Sequence, residues 1–176
     1  PSTYLAEPGV VVHVEGNSFA IGELNGETTE RCRQLSRVLI DSGLKSPIRS
    51  RIRDDMWAKL IGNVAFNPIS AVTRATLSEI TSDPLTRKLS FDIMTEAERI
   101  AIKLGINIPV SAEQRLIGAS KVGGHKTSML QDLENEKPLE LDALLGSIIE
   151  LGKMVEVETP LINTLFACTK LLARSY

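Results

Sequence analysis

From Ser50 to its end, the 176-residue sequence is punctuated as helices and nothing else, which restricts most of the chain to an all-α domain. A helix is predicted from about Arg51 to Phe66, ended by Pro68, which lacks the backbone donor a ladder needs. Asp83-Pro84 pairs a cap residue with proline at the first helical position. The helix it opens carries Leu89, Ile93, Ala97, Ile100 or Ala101, and Leu104 on one face and stops at Gly105. Ser111 and Gln114 have capping-box spacing for a third helix, interrupted at Gly123-Gly124. A further segment holds Met129 and Leu133, and Leu141, Leu145, Ile148 and Val155 stripe a helix after Pro138. Thr159-Pro160 starts the last, with Leu161, Leu165, Cys168 and Leu172 expected to face inward. Five or six helices with short connections give a mainly α, bundle-like domain over residues 49–176.

Residues 1–48 read differently. The β-branched run Gly9–Val14 and the segment Ser18–Gly22 are strand candidates, joined by Glu15-Gly16-Asn17 into an expected hairpin. Thr28 or Thr29 caps a helix with Cys32, Leu35, Val38 and Leu39 as its stripe, ended by Gly43. Leu44 to Ile48 reads as a short final strand. Strand, strand, helix, strand is too little to close a sheet over its own core, so this is the tail of an α/β domain. The chain opens with Pro rather than Met, and is expected to be cut from something longer.

Charge and composition exclude several classes. With 20 basic and 22 acidic residues the net charge is −2, which supplies no field for nucleic acid or anionic lipid. Aromatics at 4% do not make a base-stacking platform, and no apolar run reaches the roughly 20 residues of a membrane helix. Cys32 and Cys168 lie far apart with no second pair, which suits reduced thiols in a cytoplasmic protein. His13 and His125 are isolated, so no metal-ligand spacing exists. No Gly-x-Gly-x-x-Gly follows a strand, so the chain carries no dinucleotide phosphate loop and no cofactor-binding residues of its own.

The chemistry-bearing pattern lies in Trp57–Pro68. Lys59, Asn63 and Asn67 stand at i, i+4 and i+8, on one helical face, between residues that are almost all apolar. Such a stripe is either a solvated row or one wall of a cleft. As a wall, an ammonium and two amides suit a carboxylate beside a ketone or hydroxyl. Ser128 and Glu140, on adjacent segments either side of Pro138, read by themselves as a helix cap and a solvated first-turn acid.

Four motifs, in this order and spacing, resemble the C-terminal part of the ketopantoate reductase family. They are Trp57-Ala58-Lys59-Leu60 with Asn63 and Asn67-Pro68, then Ser128-Met129-Leu130-Gln131-Asp132, Glu140-Leu141-Asp142, and Gly152 through Thr159-Pro160. The resemblance implies that residues 1–48 end a Rossmann-type NADP-binding domain. It implies that residues 49–176 form a helical substrate and catalytic domain like the C-terminal domain of 6-phosphogluconate dehydrogenase. It further implies hydride transfer from NADPH, held mainly by the preceding domain, to ketopantoate, yielding pantoate for pantothenate and coenzyme A synthesis. Lys59 matches the family's catalytic proton donor, Asn63 and Asn67 match residues lining the substrate site, Ser128 one that binds the carboxylate, and Glu140 a glutamate near the hydroxyl and the lysine. The implied partners are a small 2-oxo acid, the parent's Rossmann domain and a second copy in a homodimer. Two alternatives stay open, a reductase of a different 2-oxo acid and a non-catalytic helical interaction module. A strand and Gly-x-Gly-x-x-Gly encoded upstream of Pro1 favours the enzyme over the module.

Overall fold

The computed structural model describes residues 1–174 and divides into two compact units, Pro1–Asp55 and Met56–Tyr176. In the first, β1 (Ser2–Glu7) pairs antiparallel with β2 (Val10–Glu15). The hairpin therefore lies one strand earlier than expected. Pro8-Gly9 is the turn, with Gly9 at φ 84°, a left-handed conformation that costs glycine nothing. Ser18 and Ile21 pair instead with Lys45 and Ile48, in parallel, on either side of α1 (Glu30–Asp41). The Phe19 N–H donates to the Lys45 carbonyl at 2.7 Å and the Arg49 N–H to the Ile21 carbonyl at 2.7 Å. A parallel pair spanned by a helix is the βαβ pattern, and this stretch retains it in short form.

Thr29 caps α1, its Oγ1 accepting from the Cys32 N–H at 3.4 Å. The inward row of α1 is Cys32 and Ser36, whose hydroxyl donates to the Ser46 carbonyl at 2.6 Å. Leu35 and Val38, expected on that row, are exposed, because the two short paired segments offer α1 only a narrow strip to cover. Glu23 is held by Thr29 Oγ1 at 2.5 Å and by the Arg31 guanidinium, and these bonds, Arg31's foremost, lower its pKa from 4.5 to about 2. A depressed carboxylate pKa contributes stability above the ordinary value, and that stability drains away as pH falls from 4.5 toward 2. A carbon-detected NMR titration should find no Glu23 midpoint near 4.5, and Arg31→Ala should raise it part of the way back, since the Thr29 bond remains; an unshifted wild-type midpoint refutes the linkage.

Seven helices follow among the described residues. The first, α2 (Ile52–Thr73), runs well past its expected end at Phe66, with Pro68 inside it. A proline within a helix costs about 3 kcal/mol. Residues 64–71 are buried without a break, each apolar side chain contributing about 1.5–3 kcal/mol, so packing outweighs the missing donor. An unforeseen short helix, α3 (Leu77–Ser82), follows a capping box between Thr76 and Glu79. The long α4 (Pro84–Lys103) starts at Asp83, whose carboxylate accepts from the Leu85 and Thr86 N–H groups at 3.1 and 2.8 Å. Ile93, Ala97, Ile100 and Ala101 are buried as its stripe predicts, but Leu104, past its last turn, is exposed.

The remaining helices are α5 (Ala112–Ser120), α6 (Ser128–Glu134), α7 (Ser147–Met154) and α8 (Pro160–Leu172). A π-helical turn, Asp142–Gly146, leads into α7 and keeps Leu141, Leu145 and Ile148 in the core. On α8 the buried positions are Ile162 and Thr169, while Leu161, Leu165 and Leu172 pack against the core in part. Cys168, expected inward, is exposed, because the row through Ile162 and Thr169 faces the core instead. No helix among the described residues is long and apolar enough to cross a membrane.

Gly152 on α7 is a point of close approach. A Cβ there would fall 2.9 Å from the Val157 carbonyl oxygen, 3.1 Å from Thr159 Cγ2 and 3.3 Å from Ile100 Cδ1. Gly152→Ala should lower stability by about 1–3 kcal/mol, despite alanine's better helix propensity, because backbone is what must move. Urea unfolding reads this directly, and an unchanged or raised midpoint would show that the 152–159 turn relaxes freely.

Candidate functional site

Lys59, Asn63 and Asn67 lie on α2 on one face, and burial deepens along the row. Lys59 is exposed, Asn63 is half-buried, and Asn67 is only 8% exposed. Among the described residues the Lys59 ammonium has no carboxylate within ion-pairing distance. The stripe is therefore the wall of a cleft, with its cation at the mouth and an amide at depth.

The facing wall comes from the loop before α6 and the segment before the π-helical turn. Thr127 caps α6, its Oγ1 accepting from the Leu130 N–H at 3.2 Å, and it is buried, while Ser128 is left exposed to the cleft. The Leu77 N–H donates to the His125 carbonyl at 3.1 Å, tying this loop to the start of α3. Asn67 Nδ2 and Ser128 Oγ are 3.5 Å apart, a bond at the long limit that links the two walls. Glu140 is placed by its buried neighbour Leu141 and by its own carbonyl, which accepts from the Leu144 N–H at 3.0 Å.

All five residues singled out from the sequence, Lys59, Asn63, Asn67, Ser128 and Glu140, line one cleft of about 380 Å³. That size lies at the small end of ligand pockets. Sequence reasoning assigned no place there to Phe66, Leu77, Leu144 and Asp132, which share the lining. Phe66, Leu77 and Leu144 supply an apolar side. Asp132 stands four residues after Ser128, hence on the same face of α6, and that spacing was the available signal for it. His125, isolated from other metal-binding side chains in the sequence but standing just before the Thr127-Ser128 motif, also lines the cleft.

The arrangement offers an ammonium, two amides and a hydroxyl to an anion or carbonyl, and the Glu140 and Asp132 carboxylates to donors. This donor set and volume match a small oxygenated acid, not a dinucleotide. Among the described residues no three His, Cys, Asp or Glu side chains converge as a metal set.

A family model described as "Ketopantoate reductase PanE/ApbA C terminal" matches residues 51–173. The 2-dehydropantoate 2-reductase of Mesorhizobium japonicum is 44% identical over 98% of this chain and 53% of its own length. A crystal structure from Ralstonia solanacearum superposes with a TM-score of 0.93 at 35% identity, over 99% of this chain and 53% of that one. The crystal structure of 2-dehydropantoate 2-reductase from Methylococcus capsulatus gives 0.89 at 26% identity, over 97% and 60%. The chain thus spans little more than half the length of the relatives it matches.

Proposed function

Because the chain belongs to the ketopantoate reductase family and matches its C-terminal part, we propose that it is the substrate-binding and catalytic portion of an NADPH-dependent 2-dehydropantoate 2-reductase. The observation that carries this reading is the convergence of Lys59, Asn63, Asn67, Ser128 and Glu140 on one small cleft. In this reading residues 1–48 close a Rossmann-type domain that holds the cofactor phosphates, and residues 49–176 form the catalytic domain. The enzyme works in the cytoplasm as a homodimer.

Bound NADPH supplies the hydride that the keto carbon of ketopantoate receives. Everything else at that carbon falls to this chain. Lys59 gives a proton from Nζ to the carbonyl oxygen as it becomes an alkoxide, and its charge stabilises that oxygen while the negative charge appears. Asn63 and Asn67 hold the keto acid along the α2 wall, each amide able to donate and accept. The Ser128 hydroxyl donates to the substrate carboxylate. Glu140, on the facing wall, accepts from a substrate hydroxyl. A concave cleft of this size and chemistry favours a small substrate over a protein partner. A second reading keeps the same chemistry with a different 2-oxo acid, because Lys59, Asn63, Asn67 and Ser128 address the keto and carboxylate groups that all such acids share.

The test is NADPH consumption by the full-length protein, with ketopantoate and other 2-oxo acids compared. Reduction of no 2-oxo acid overturns the reading, and preference for another acid selects the second one. Ser128→Ala should act mainly on KM, because the carboxylate is charged in ground and transition states alike. One lost hydrogen bond to a charged group corresponds to roughly ten- to a hundredfold. A kcat loss of that size with KM unchanged would take the carboxylate away from Ser128.

A further inference from the structure

Outside the cleft, one buried polar cluster has no part in the chemistry above. Arg115, on α5, donates from Nη1 to the carbonyl oxygen of Ala58 on α2. Its Nε and Nη2 are buried with no hydrogen-bond partner among the described residues. Glu98, on α4, accepts from the Ala112 backbone at the start of α5, and its Oε1 is likewise buried and unpartnered. The two charges attract each other, yet burial dominates, pushing the Glu98 carboxyl up and the Arg115 guanidinium down from their ordinary values.

For stability alone this is a poor arrangement, since apolar residues of similar volume often replace such pairs without loss. What an apolar side chain cannot do is grip the Ala58 carbonyl. That carbonyl belongs to the peptide group whose nitrogen is that of Lys59. Ala58 is also only the third residue of the helical unit, so this turn has few residues of its own unit before it. Trp57 and Ile61 anchor the turn by burial, which fixes its depth. A charge-assisted bond to one chosen carbonyl fixes its rotation about the helix axis as well. Rotation matters here because the Lys59 side chain has no ion-pair partner among the described residues to aim it.

We propose that Arg115 is a positioning residue for Lys59, its guanidinium holding the Ala58–Lys59 peptide so that the ammonium enters the cleft in one direction. This rests on the reading of Lys59 as the proton donor. Glu98 serves the same device from behind, securing the start of α5 and offsetting the buried positive charge.

A double-mutant cycle in the full-length enzyme tests it. Arg115→Met should lower kcat about ten- to a hundredfold, the worth of one hydrogen bond to a charged group, with KM for the 2-oxo acid little changed. Arg115→Lys, which keeps a charged donor, should recover part of that loss. In a Lys59→Ala background, Arg115→Met should leave the residual rate nearly unchanged, because the group it positions is gone. Equal losses in both backgrounds would mark a merely structural arginine and overturn the proposal. If Arg115→Met does not fold, Arg115→Lys decides: a kcat loss with melting temperature and KM held supports positioning, and a loss that only follows melting temperature overturns it. Should Lys59→Ala leave kcat intact, the proton-donor reading fails and this inference falls with it. Should Lys59→Ala abolish turnover while Arg115→Met leaves it untouched, this inference alone falls.

Discussion

Lys59→Ala is expected to lower the turnover number of the full-length enzyme by at least about two orders of magnitude, the usual contribution of a positioned acid. Two functions leave together in this variant. The proton for the forming alkoxide must then come from water, and the one cation on the α2 wall disappears from a cleft that still holds Glu140 and Asp132. Those two carboxylates disfavour an oxyanion, and without Lys59 nothing on α2 but the Asn63 and Asn67 amides opposes them. The alkoxide exists only along the reaction path, whereas the substrate carboxylate is present throughout, so the loss should fall on kcat far more than on KM. That split distinguishes Lys59 from Ser128, whose expected effect is the reverse. Steady-state kinetics of the two variants, side by side, decides the matter. A Lys59→Ala enzyme with near-normal turnover would remove Lys59 as the acid and leave the stripe a solvated row.

The two walls of this cleft were not equally legible in the sequence. The α2 wall is a single-helix pattern, so the 3.6-residue period alone places Lys59, Asn63 and Asn67 together. The other wall is tertiary. Ser128 and Glu140 reach α2 because Leu130 and Leu141 are buried and because the Leu77 N–H binds the His125 carbonyl, and no local spacing encodes those contacts. Family resemblance, not periodicity, pointed to that wall. In the fold, errors arose where local rules met burial. Pro68 reads as a stop, yet the continuous burial of residues 64–71 carries the helix through it. The capping box at Thr76 and Glu79 was a readable start for α3, and Pro8-Gly9 a readable turn. Both lie beside stronger signals, the Asp83-Pro84 start and the β-branched run after Gly9.

The start of α8 shows the same limit, and it carries the largest expected effect on stability. Thr159-Pro160 looks like a self-capped helix start, and the helix does begin at Pro160. Thr159, however, makes no side-chain cap bond; its hydroxyl and carbonyl instead accept from Asn163 Nδ2 at 2.9 and 2.7 Å. Pro160 has no N–H, so the first donors needing a partner are those of Leu161 and Ile162. Both go to Glu96 on α4, the Leu161 N–H to Oε1 at 3.0 Å and the Ile162 N–H to Oε2 at 3.1 Å. Glu96 is only 5% exposed, and Ile162 is fully buried, so water cannot easily take the carboxylate's place. Each buried N–H left unsatisfied costs about 1–3 kcal/mol, and the negative charge at a helix N-terminus adds about 0.3–1 kcal/mol more. Glu96→Ala should therefore cost about 2–7 kcal/mol, a large share of the stability of a domain this size. Glu96→Gln, with one acceptor oxygen in place of two and no charge, should cost roughly half of that. Urea unfolding of both variants measures the two steps, and the graded order is the signature of capping. If alanine and glutamine are equally mild, the two N–H groups have found other partners, and α8 owes its position to Ile162 and Thr169 packing alone.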